Sequence, residues 1–82
     1  MTEQEAIKAL TGRTLVMRFP ITGKEVTRKR LRYVHKQYGS SSLRTFCDVA
    51  GSYIQLCLQD VAELAAHGRS SQPHIHYTLK NG

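Results

Sequence analysis

Two alternating runs, Leu43–Asp48 and Ser52–Leu58, flank Ala50-Gly51 and together predict a β-hairpin. With the turn centred on Ala50-Gly51, Cys47 faces Ile54, Thr45 faces Leu56 and Leu43 faces Leu58. Leu43, Cys47, Val49, Ile54, Leu56 and Leu58 then form a core face, and Arg44, Phe46, Asp48, Tyr53, Gln55 and Cys57 the other. That register sets the two cysteines, Cys47 and Cys57, on opposite faces, so two free thiols are expected rather than a bridge.

The remaining segments are short and well punctuated. Thr2-Glu3-Gln4-Glu5 is a capping box that opens a helix ending near Leu10, with Gly12 as its left-handed stop; this helix is expected to cover one open end of the fold. Thr14–Phe19 alternates as a half-buried strand, and Pro20–Gly23 forms a turn. A long second strand follows from Glu25 to Val34. Its faces disagree, Val26 on one side against Leu31 and Tyr33 on the other, and a bulge or bend near Arg28–Arg30 reconciles them. Gln37–Ser42 reads as a loop, Asp60–Ala66 as one or two helical turns begun by Asp60 as N-cap and closed by Gly68, and Arg69–Pro73 as a loop. His74–Leu79 is the last strand, with Ile75, Tyr77 and Leu79 inward and His74, His76 and Thr78 outward.

Five short strands, one helix and a helical turn in 82 residues predict a single domain, 1–82, that is mainly β with a small α+β character. A chain of this length buries only about 60–65% of its unfolded surface, so the core is thin. A five-stranded barrel suits it, because closure removes exposed edges.

Two stretches carry a family resemblance. Thr22-Gly23-Lys24-Glu25-Val26-Thr27-Arg28 is similar to a glycine turn followed by Thr and Arg in a second strand. Leu43–Asp48, Gly51-Ser52-Tyr53 and Leu56–Val61 resemble the paired strands bearing an apolar and arginine signature. Over about Thr14 to Leu64 the chain resembles the WYL family, in particular its short Sm-like relatives of bacteria and phages. The triplet that names the family aligns with Ser41-Ser42-Leu43, so only the Leu is kept, and the groove arginines align with Ile54 and Asp60. The resemblance implies an Sm-like β-barrel, a regulatory accessory role, nucleic-acid or nucleotide sensing, and compatibility with a homo-oligomer.

Twelve Lys and Arg against six Asp and Glu give a net charge of +6, a balance suited to polyanions. The cations concentrate in Lys24, Arg28, Lys29, Arg30, Arg32 and Lys36, with Arg44 on the hairpin. In one continuous strand Arg28, Arg30 and Arg32 would share a face at roughly 7 Å intervals, close to phosphate spacing on an extended single strand. Tyr33, Tyr38 and Phe46 are near enough to offer stacking surfaces. The expected nucleic-acid-binding set is therefore Lys24, Arg28, Lys29, Arg30, Arg32, Tyr33, Lys36, Arg44 and Phe46. The competing reading is a phage or mobile-element interaction protein that binds a host protein through Phe46, Tyr53 and the outer hairpin face.

Catalytic chemistry finds little support. Cys57, expected to be exposed beside Arg44, has no histidine placed as a base, and no carboxylate pair or glycine-rich phosphate loop is present. His74-x-His76, with His35 and His67 elsewhere, lacks further ligands at metal-binding spacing, so neither cofactor nor metal is expected. No apolar stretch reaches the roughly 20 residues of a membrane span, and Met1–Glu5 lacks signal-peptide order, so a cytoplasmic protein with no membrane partner is expected.

Overall fold

The computed structural model describes residues 1–36 and 38–81. Gln37, the first residue of the expected loop, lies outside them. Helix α1 (Glu3–Leu10) starts as the sequence predicts: the Glu5 N–H donates to Thr2 Oγ1 at 3.1 Å and the Thr2 N–H donates to Glu5 Oε1 at 2.9 Å. The Thr2 backbone N–H foremost, then the Thr2 side chain, holds the Glu5 carboxyl below its usual range. The apolar stripe Ala6, Ile7 and Leu10 is buried.

Among the described residues seven strands follow instead of five: β1 (Thr14–Phe19), β2 (Lys24–Arg28), β3 (Arg32–Val34), β4 (Leu43–Cys47), β5 (Tyr53–Cys57), β6 (Arg69–Gln72) and β7 (Ile75–Lys80), with α2 (Leu58–His67) between β5 and β6. They form two antiparallel sheets, β2-β1-β7-β6 and β3-β4-β5. The expected closed barrel is not formed. At Cys57 the chain passes directly from β5 into α2, which packs against β6 of the other sheet, so a helix rather than strand pairing joins the two sheets there.

Two corrections account for the extra strands. The expected long second strand is cut in two at the anticipated bend. Arg30 takes a left-handed φ of 53°, and Leu31, buried at 1% exposure, is clamped by its N–H to the Arg13 carbonyl (2.9 Å) and by its carbonyl to the Gly12 N–H (2.7 Å). The halves then join different sheets. Arg69–Gln72, expected as a loop, pairs with β7 across the two-residue turn Pro73-His74. Its sequence Arg-Ser-Ser-Gln carries no apolar alternation. The inward Ser70 is instead satisfied through its hydroxyl, 2.8 Å from Asp60 Oδ1 and from Glu63 Oε2.

The hairpin forms, one residue out of the expected register. Asp48 Oδ1 accepts from the Ala50 and Ser52 N–H groups at 2.9 and 3.0 Å, and the Asp48 N–H donates to the Ser52 carbonyl. The loop is thus the three residues Val49-Ala50-Gly51, with Gly51 at φ 85°, rather than a two-residue turn. Cys47 pairs with Tyr53, Phe46 with Ile54 and Arg44 with Leu56. A shift of one exchanges faces. Phe46 becomes fully buried, whereas Val49, expected in the core, sits 63% exposed at the tip.

Leu10, Leu15, Leu31, Phe46, Leu56, Val61 and Leu64 form the centre of the core. Helix α2 starts three residues earlier than expected, with Cys57 rather than Asp60 as N-cap, so Asp60 lies in its first turn; Gly68 ends it at φ 74°. The Cα radius of gyration, 11.8 Å, matches one compact unit of this length. Among the described residues no helix is long and apolar enough to cross a membrane.

Candidate nucleic-acid interface

The nine residues of the expected set divide into free and committed groups. Lys24, Lys29, Arg30, Arg32 and Lys36 are exposed and form no ion pair among the described residues. Arg28 is half-buried, its Nη1 3.3 Å from Asp48 Oδ2. Arg44 is held by three acceptors: Glu3 Oε1 at 2.7 Å and the carbonyls of Ser41 and Leu43 at 2.6 and 2.8 Å. Phe46 is at 0% exposure and has no face to offer a base. The expected ladder of Arg28, Arg30 and Arg32 on one strand face is also corrected. Arg28 belongs to β2 and turns to Asp48, while Arg30 lies in the kink and Arg32 opens β3 in the other sheet.

What the kink brings together is more local. Lys29, Arg30 and Arg32 project around the anchored Leu31, whose burial fixes the segment. The kink is further held by the Val49 N–H donating to the Lys29 carbonyl at 2.9 Å, so the hairpin loop braces the basic segment. Left-handed backbone at a non-glycine residue is unfavourable by about 1–2 kcal/mol and persists only where surrounding contacts enforce it.

Along β3 the aromatic groups follow. Tyr33 is half-buried, 5.6 Å from the Phe46 ring and 4.8 Å, edge-on, from the exposed His35 ring. Tyr33 and His35 line an open groove of about 470 Å³ against α1, together with Ile7, Lys8 and Thr11. A smaller groove of about 160 Å³ adjoins it, sharing Glu3, Tyr33 and His35 and adding Lys36 and Arg44. His35 and Lys8 were absent from the expected set. The signal for His35 was strand alternation, which puts it on the side of Tyr33; Lys8 is brought in by tertiary packing of α1.

Tyr38 and Tyr53 form an exposed pair at 6.5 Å, with Lys36 Nζ 5.7 Å from the Tyr38 ring centre. Of the outer hairpin residues considered for a protein partner, Tyr53 is therefore exposed and Phe46 is not. Both cysteines are free thiols, Cys47 buried and Cys57 exposed. Arg44 does not lie beside Cys57: it pairs with Leu56, and strand alternation sends the two side chains to opposite faces.

The buried polar cluster behind α2 serves packing. Asp60, 3% exposed, accepts from Ser70 Oγ and from Gln72 Nε2 at 2.6 Å. Burial, then the nearby Asp60 and Cys57 charges, push the Tyr77 phenol above its usual range. Among the described residues no three His, Cys, Asp or Glu side chains converge as a metal site would require.

Comparison with family models, curated proteins and solved structures yields no match to this chain.

Proposed function

We propose that this protein is a small non-catalytic module that binds single-stranded nucleic acid, a regulatory accessory by nature, with the kinked segment Lys29–Lys36 as its contact surface. The observation that carries the reading is the left-handed Arg30, held between exposed Lys29 and Arg32 by the buried Leu31. Strain concentrated in a basic, solvent-facing segment is a feature of binding sites rather than of solvated edges. The exposed cations supply sequence-independent attraction to phosphates, and Tyr33 with His35 supplies a stacking edge beside them. The sequence resemblance to the WYL family over about Thr14 to Leu64 points in the same direction.

The test is anisotropy of a labelled single-stranded oligonucleotide against wild type and the triple variant Lys29→Ser, Arg30→Asn, Arg32→Ser. Asn tolerates the left-handed backbone at position 30, so the fold is retained. Loss of most low-salt affinity in the variant is expected. Equal binding by both proteins removes this segment as the site.

A further inference from the structure

Among the described residues four strands lie at sheet edges: β2 and β6 in one sheet, β3 and β5 in the other. Three carry charges that oppose pairing with another chain, Lys24, Glu25 and Arg28 on β2, Arg32 on β3 and Arg69 on β6. The fourth, β5, reads Tyr-Ile-Gln-Leu-Cys and has neither charge nor proline. An edge without such guards is a template for strand addition.

The hydrogen-bond pattern shows what this edge presents. Asp48 N–H bonds the Ser52 carbonyl and Leu58 N–H bonds the Ser42 carbonyl, and the register between them is unbroken. Bonded pairs alternate in an antiparallel ladder, so Ile54 and Leu56 bond β4. Tyr53, Gln55 and Cys57 then direct their backbone groups away from the sheet. Their side chains are exposed, whereas Leu56 is buried and Ile54 half-buried.

We infer that β5 is a dimerisation edge that pairs antiparallel with β5 of a second copy about a two-fold axis at Gln55. A second copy fits because the strand is self-complementary in this register. Gln55 faces Gln55, Tyr53 faces Cys57, and Ile54 faces Leu56 on the inner side, so apolar meets apolar and no charges are opposed. Two bonds join the Gln55 backbones, and the Cys57 N–H donates to the Tyr53 carbonyl in each direction; the Cys57 carbonyl is already engaged as the N-cap of α2. The result is one six-stranded sheet, with β3 and its basic segment at both ends. Tyr53, 62% exposed in the single chain, becomes part of the contact.

The test has two arms. Light scattering after size exclusion should give twice the 9.3 kDa chain mass for wild type and a single-chain mass for Gln55→Lys, which places like charges on the axis. Gln55 is exposed, and an unchanged circular dichroism spectrum verifies that the variant is folded. In the second arm, Gln55→Cys in a Cys57→Ser background should oxidise to a disulfide-linked dimer, whereas Ser71→Cys in the same background should not. A monomeric wild type, a dimer that survives Gln55→Lys, or equal cross-linking at both positions would overturn the inference. A 1:1 complex with an unrelated protein through β5, without self-association, would do the same. None of these readouts depends on nucleic acid, so the dimer and the binding reading fail separately.

Discussion

Arg28 at the end of β2 donates to Asp48 just after β4, an ion pair at 3.3 Å that ties one sheet to the other beside the basic kink. Asp48 also accepts the two N–H groups that shape the hairpin loop. The Ser52 amide foremost, then Arg28 and the Ala50 amide, hold its carboxyl below the usual carboxylate range, outweighing the opposing effect of burial. A lowered folded-state value means that this stability is fully present at neutral pH, above the unfolded value, and is lost as pH falls through the folded value.

Acid unfolding of wild type should therefore steepen as pH falls below the ordinary carboxylate range, and Asp48→Ala should flatten that part of the curve while lowering the melting temperature at pH 7. Asp48→Asn keeps the Oδ1 acceptor, so its melting temperature at pH 7 should fall between the two, while its acid curve, lacking the carboxylate, should be as flat as that of Asp48→Ala. Thermal melts from pH 2 to pH 7 check this. Identical pH dependence in Asp48→Ala would show that Asp48 is not the group responsible.

The hairpin register makes opposite demands on two residues that sequence patterning assigned the other way. Phe46→Ala should cost about 3–5 kcal/mol of stability, as expected for a fully buried aromatic. Val49→Ser, at the exposed loop tip, should change stability by less than about 0.5 kcal/mol. Urea unfolding measures both. The reverse ranking would restore the two-residue turn.

Tyr77 should ionise above the ordinary phenol range in an ultraviolet titration of the folded protein. Its raised value means that its contribution to stability is full below the unfolded value and is lost as pH rises through the folded one. Burial is the larger cause, so Asp60→Asn should lower the Tyr77 midpoint only in part. A midpoint unmoved by that change would exclude Asp60 as a contributor.

The legible parts of this fold were those written in local chemistry. Thr2 and Glu5 announce α1, the clash between Val26 and Leu31 announces the kink, and Ile75, Tyr77 and Leu79 announce the last strand. The hairpin was legible as an element but not in register, because Asp48 turns the chain through side-chain bonds that alternation does not encode. Strand β6 was hidden because Ser70 faces inward on a hydroxyl rather than a hydrocarbon. The same limit applies to the site. The run of cations was visible, but Arg28 and Arg44 are taken by Asp48 and Glu3, carboxylates 20 and 41 residues away.

The salt dependence of oligonucleotide binding tests the central proposal most directly. Lys29, Arg30 and Arg32 engaging about three phosphates should give a log–log slope near −2, at roughly 0.7 per phosphate of a single strand. Arg28→Ser, which removes a cation already paired with Asp48, should leave that slope in place. The triple variant Lys29→Ser, Arg30→Asn, Arg32→Ser should bring it close to zero. Absence of binding at low salt, or a slope that the triple variant does not change, would contradict the account.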